Sequence, residues 1–143
     1  MVALLRESLP LSMLITDDDE SWRAAFNSAF AHLGYDTHLA ACGTDAIRIV
    51  RNQEVHVAIL DMHLPDMSGV DTLVEIGRET GHVVPAILVS SDRSTDLQIR
   101  ALAAHFMAYM SKPVDMDLLR RVVSRIVFRR YPGGRAEPEA KAG

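Results

Sequence analysis

Cysteine is almost missing from this chain. The single thiol, Cys42, excludes an intrachain disulfide and every multi-cysteine metal site, and it suits a reducing compartment; it is read as a buried structural thiol. Aromatics are only 6% of residues, and no apolar run approaches the length of a membrane span. The opening apolar stretch is broken by Arg6 and Glu7, so neither a signal peptide nor an anchor is expected there, and the expected location is the cytoplasm. There is no basic excess either. With 15 Lys+Arg against 19 Asp+Glu and a formal charge of −4, nothing favours a polyanionic partner, and neither nucleic acid nor membrane is expected to bind directly.

What is present is an alternation of two periodicities. Apolar residues at 48% and charged residues at 24% over 143 positions fit one well-cored domain. Leu11 to Thr16 reads as a buried strand. Trp22, Ala25, Phe26, Ala29, Phe30 and Leu33 then recur on one helical face, with Gly34 as the stop. Tyr35 to Ala40 is a second strand, and Gly43-Thr44 opens a helix with Ala46, Ile47 and Val50 inward. Val57 to Asp61 is a continuously apolar third strand, followed by a helix burying Val70, Leu73 and Val74 that ends near Gly81. Val83 to Ser90, a helix capped by Ser94 or Thr95 over Leu97, Ala101 and Ala104, and a fifth strand from Phe106 to Met110 come next. A last helix, about residues 115–130, carries Leu118, Leu119, Val122, Val123, Ile126 and Val127.

Five strand–helix units in strict alternation predict an α/β fold: a doubly wound, five-stranded parallel sheet with five helices on its two faces. Residues 1–10 are expected to be an N-terminal extension and 131–143 a flexible tail or truncated linker, leaving 11–130 as the domain.

In such a sheet the carboxyl ends of the strands share one rim. Asp17, Asp18, Asp61, Ser90 and Lys112 each lie at or just past the end of an apolar run, so all are predicted on that rim. Asp19, directly before the first helix, reads better as its cap. Carboxylates gathered this closely repel one another unless a cation offsets them. An all-oxygen set with open positions suits Mg²⁺.

The segments Ile15-Thr-Asp-Asp-Asp19, Asp61-Met-His-Leu-Pro-Asp-Met-Ser-Gly69, Leu88-Val-Ser-Ser91 and Ala108-Tyr-Met-Ser-Lys-Pro113 together resemble the signatures of bacterial two-component response regulator receiver domains, in order and at matching spacing. The resemblance implies the flavodoxin-like strand order 2-1-3-4-5. It implies that Asp61 accepts a phosphoryl group from a sensor histidine kinase or a histidine phosphotransfer protein in a Mg²⁺-dependent reaction. Asp17 and Asp18 are then the metal pair, Asp18 directly and Asp17 through water, with Asp61 and the His63 backbone carbonyl as further ligands. Lys112 pairs with Asp61 and then its phosphate, while Ser90 and Tyr109 are the switch residues. The surface of the fourth helix, fifth strand and fifth helix would bind a downstream output protein or a fused output domain. The chain is thus expected to be a signalling phospho-acceptor rather than an enzyme, limited to self-phosphorylation and self-dephosphorylation.

Two features depart from the pattern. His105 stands where glycine commonly makes a left-handed turn, and Ser90 replaces the commoner threonine while keeping the hydroxyl. Three other readings compete. A receiver-like interaction module that is never phosphorylated would have the same fold. A haloacid-dehalogenase-type phosphatase needs an acid two positions after the nucleophile, where His63 stands. A flavodoxin-like cofactor binder needs a glycine-rich phosphate loop after the first strand, where acids stand instead.

Overall fold

The computed structural model describes residues 10–132. Strands and helices alternate throughout: β1 (Ser12–Thr16), α1 (Glu20–Ala31), β2 (Asp36–Ala40), α2 (Gly43–Asn52), β3 (Val57–Asp61), α3 (Gly69–Thr80), β4 (Ala86–Ser90), α4 (Thr95–Ala103), β5 (Ala108–Ser111) and α5 (Met116–Arg130). All strand pairs are parallel, and their order is β2-β1-β3-β4-β5, the doubly wound order expected. Thr16 pairs with Leu60, Asp61 with Val89 and Ser90 with Ser111, so the carboxyl ends of β1, β3, β4 and β5 finish side by side.

Every residue of β3 and β4 is buried, because helices cover both faces of the sheet. Successive side chains point to opposite faces. Ile15, Ile59 and Ile87 therefore meet Phe26 and Phe30 of α1 with Leu119, Val123 and Val127 of α5, while Leu14, Leu60 and Leu88 meet α2, α3 and α4 through residues such as Ala46, Leu73 and Leu97. Helix starts follow local chemistry. Asp19, Ser68, Ser94 and Asp115 each accept backbone N–H groups at the starts of α1, α3, α4 and α5.

Several expected details shift. Ala25 is exposed, and Val74 and Leu118, each 43% exposed, lie off the buried stripes, whereas Thr72 and Ile76 of α3 face inward. β4 begins at Ala86 rather than Val83, since Pro85 has no N–H for the ladder and Val83 is at the surface. β5 begins at Ala108 and extends to Ser111. Before it, His105 adopts the left-handed region at φ 71°, and Phe106 turns into the core with its N–H on the Ala101 carbonyl. Cys42 is half-buried, not buried, because it stands at the strand–helix turn as the N-cap of α2. Tyr131, expected in the tail, instead packs edge-on against His56 and donates its hydroxyl to the His56 carbonyl at 2.9 Å. Most of the expected extension and tail, 1–9 and 133–143, lies outside the described residues.

Candidate functional site

β1 delivers Asp17 just past its end, where the backbone N–H bonds the Ala40 carbonyl of β2 at 3.0 Å. This fully buried residue spends Oδ1 on the Asp19 N–H at 2.9 Å and Oδ2 on Lys112 Nζ at 2.8 Å. Asp18, next in the chain, is exposed. Asp61, the last residue of β3, is 5% exposed. Its Oδ1 lies 2.8 Å from Lys112 Nζ, and its Oδ2 accepts the His63 N–H at 3.1 Å. One carboxylate oxygen from each of Asp17, Asp18 and Asp61 lies within 4.8 Å of the others.

Lys112 follows β5, its backbone N–H bonded to the Ser90 carbonyl at 2.8 Å, and the bond to Pro113 is cis. One ammonium thus serves two buried carboxylates with a third beside them. The pocket carries more negative charge than its cation offsets, and two pKa directions follow. Burial and the neighbouring Asp17 raise the Asp61 carboxyl against the opposing pull of Lys112. At Lys112 burial works the other way, but the hydrogen bonds and charges of Asp17 and Asp61 outweigh it and hold the ammonium above its usual range. A hard, oxygen-seeking cation fits this donor set.

Ser90 ends β4, fully buried, and its Oγ accepts the Asp92 N–H at 3.0 Å, leaving the hydroxyl hydrogen free to donate. Tyr109 is half-buried in β5, and its buried hydroxyl has no hydrogen-bond partner. The imidazole of His63 is exposed; only the backbone N–H meets Asp61. Asp17, Asp18, Asp61, Ser90 and Lys112 therefore reach the rim as expected, with Tyr109 on the adjoining strand.

Three contributors escape a reading by periodicity. The Trp22 ring, taken there as core, lies 5.3 Å from Lys112 Nζ and stacks on Phe26. Arg23 donates Nη1 to the Asp17 carbonyl at 2.8 Å. Asp66 accepts from Gly43 N and Thr44 N, both at 2.8 Å, and from Thr44 Oγ1 at 2.6 Å, tying the β3–α3 loop to the start of α2. A partial signal existed: Cys42 offers no capping oxygen to α2, which leaves its first N–H groups open to a side chain from elsewhere in the chain.

Residues 13–124 match the family described as the response regulator receiver domain. Among curated proteins, the chain is 31% identical over 113 residues to the regulatory protein AtoC of Escherichia coli, covering 79% of this chain and 24% of that protein. It is 27% identical over 132 residues to the transcriptional regulatory protein ZraR of Salmonella typhimurium, covering 92% and 30%. The chain therefore spans about a quarter to a third of the length of these relatives. Among solved structures, the CheY-like receiver domain protein of Methanospirillum hungatei superposes with a TM-score of 0.79 at 25% identity over 87% of this chain and 99% of that one. The receiver domain of the Francisella response regulator 1452 gives 0.73 at 28% identity over 84% and 98%. With the strand order, the acidic rim and this match over most of its length, the chain belongs to the receiver domains of two-component response regulators.

Proposed function

We propose that Asp61 is the phospho-acceptor of this receiver and that Mg²⁺ is held by Asp17, Asp18, Asp61 and the backbone carbonyl of His63. The observation that carries this reading is the position of Lys112 Nζ, 2.8 Å from both Asp17 and Asp61, beside a third carboxylate. When bound, the metal would offset negative charge on the transferring phosphoryl oxygens.

The protein's own groups do the rest. A carboxylate oxygen of Asp61 attacks phosphorus, the bond from phosphorus to the donor's imidazole nitrogen breaks, and the electron pair leaves with the donor. Lys112, charged across the neutral range, moves from sharing a carboxylate to sharing the acyl phosphate. Ser90 donates its unused hydroxyl hydrogen to a phosphoryl oxygen. Because Oγ also holds the Asp92 N–H, this draws on the loop after β4. The unpartnered hydroxyl of Tyr109 gains from any rearrangement that satisfies it. The donor is a sensor histidine kinase or a phosphotransfer protein, and the α4–β5–α5 surface passes the change to an output protein or a fused output domain. The chain acts in the cytoplasm as a signalling acceptor, with no turnover beyond its own phosphorylation and dephosphorylation.

Acetyl phosphate with Mg²⁺ tests the acceptor. Intact-mass measurement should show a gain of one phosphoryl group on the wild type, none on Asp61→Asn and none with a chelator present. A gain that survives Asp61→Asn places the acceptor elsewhere.

A further inference from the structure

His56 stands just before β3, at the amino ends of the strands and away from the rim that holds Asp61. Its backbone N–H donates to the Ser12 carbonyl at 3.0 Å. The Ser12 N–H in turn donates to the imidazole Nδ1 at 2.9 Å, so the ring takes the place of a main-chain acceptor where β1 begins. Tyr131 meets the same residue from the end of α5. The two rings stand edge-on, with centroids 5.1 Å apart and planes at 89°, and the tyrosine hydroxyl donates to the His56 carbonyl at 2.9 Å. Because the Tyr131 N–H also closes the last turn of α5 on the Val127 carbonyl at 2.8 Å, that turn is fastened to the β1–β3 pair through one histidine.

The arrangement requires a neutral ring in one tautomer. Nδ1 accepts a hydrogen bond and so carries no proton, which places the single ring proton on Nε2. A second proton can go only to Nδ1, where it faces the Ser12 N–H donor to donor. The bond is then lost, and a main-chain N–H at a part-buried site is left without its acceptor. The surroundings do little to welcome the charge. Glu54, on the same segment, lies 3.5 Å from Nε2 but is 77% exposed, against 18% for the histidine side chain. From α5 come Tyr131 and Arg130, whose guanidinium covers the tyrosine ring at 5.6 Å and reaches the Val83 carbonyl at 3.4 Å. Asp36 of β2, opposite Ser12 in the ladder, is engaged by His38 at 3.3 Å. Burial outweighs the attraction of Glu54 and holds the imidazole below the usual histidine range.

We propose that His56 is a proton-operated latch on the end of α5: the neutral ring holds Ser12 and Tyr131 together, and the charged ring lets them part. Closure is complete at neutral pH and is lost as the pH falls through the folded value of the ring, which lies below the ordinary one. The protonated imidazole turns from Ser12 toward Glu54, the edge-on contact with Tyr131 is broken, and the last turn of α5 is freed. Since α5 belongs to the proposed output surface, acidification then biases that surface from its far end. This last consequence rests on the output reading; the latch itself does not.

Two signals follow the latch in the full chain, labelled with ¹⁵N, between about pH 7.5 and about pH 4.5, a window that spans the ordinary histidine range. The Ser12 amide proton should move upfield on the same curve as the His56 ring. Hydrogen exchange at Arg129, Arg130 and Tyr131, corrected for the intrinsic effect of pH, should lose about tenfold in protection while α1 and α3 keep theirs. His56→Asn places an amide oxygen near the position of Nδ1 and does not titrate, so it should keep the Ser12 bond and stay unchanged across the window. Tyr131→Ala should leave the last turn of α5 unprotected at both ends of it. Asp61→Asn should respond like the wild type, which separates the latch from titration at the rim. Circular dichroism checks that each variant is folded. A wild type whose last turn exchanges alike at both ends, a loss shared by His56→Asn or absent from Asp61→Asn, or an equal loss in every helix each overturns the proposal. No phosphoryl donor enters this experiment, so its failure leaves the acceptor reading standing, and failure of the acetyl phosphate experiment leaves the latch.

Discussion

At the scale of single residues, the most informative contact joins positions ninety residues apart. The ammonium of Lys112 is held by Asp17 and Asp61, each at 2.8 Å, and lies 5.3 Å from the centre of the Trp22 ring. A ring in that position contributes about 0.5–2 kcal/mol to holding a cation. Trp22→Leu keeps an apolar side chain against Phe26 and removes the π face, so the ammonium gains freedom. Phosphorylation by acetyl phosphate should slow roughly two- to tenfold, and Trp22→Phe should restore most of the rate; initial rates by intact mass read both. A wild-type rate in Trp22→Leu reduces the ring to packing. The acids, the lysine and the serine were legible in the sequence because each sits where an apolar run ends, and parallel strands bring those ends together. Trp22 was not, because it falls on the same i, i+3, i+4 stripe as Phe26 and Phe30. Only the tertiary fold shows that the first turn of that stripe overlooks the rim.

At the scale of elements, the β3–α3 loop that follows Asp61 is held at two points. At one end a Cβ on Gly69 would meet the Asp61 backbone oxygen at 2.4 Å and Leu88 Cδ1 at 2.9 Å. α3 can begin against Asp61 only because no side chain is there. Gly69→Ala must therefore move backbone, at a cost of about 1–3 kcal/mol, and should reduce phosphorylation of Asp61 as well as lower the denaturant midpoint. Within the loop Asp66 caps α2, and the Thr44 hydroxyl with the Thr44 and Gly43 N–H groups holds its carboxyl down to about 2. Asp66→Ala should cost about 1 kcal/mol, the usual worth of a cap, with the rate of phosphorylation less affected than in Gly69→Ala. The sign with pH follows from the lowered value. The contribution of Asp66 is complete above about pH 4 and is lost as the pH falls toward 2, so urea titrations of wild type and Asp66→Ala should converge over that interval. The parallel, doubly wound sheet with helices on both faces was legible at this scale, since continuous apolar runs alternate with helical stripes; the strand order itself came only with the family resemblance. The start of β5 was not, because Phe106 is as apolar as a strand residue, yet the left-handed turn at His105 directs it into the helical layer.

At the scale of the whole molecule, the rim gathers Asp17, Asp18 and Asp61 around the one ammonium of Lys112 and so carries an excess of negative charge. Asp61 titrates above the ordinary carboxylate range, chiefly through burial. A raised acid contributes stability that is present at low pH and lost as the pH rises through its folded value, so at neutral pH its ionised form weighs against the fold. Asp61→Asn leaves Asp17 and Lys112 as a matched buried pair. Without divalent cation the variant should therefore melt above the wild type. Adding Mg²⁺ should reverse the comparison: bound only by the folded state, it stabilises the wild type by about 1.4 kcal/mol at ten times its dissociation constant. The variant, short of one carboxylate, should gain clearly less at the same concentration. Calorimetric melts with a chelator and across a Mg²⁺ series read both halves. Equal Mg²⁺ shifts in the two proteins would remove Asp61 from the metal's ligands, and a variant that melts below the wild type in chelator would show that the pair with Lys112 outweighs the repulsion.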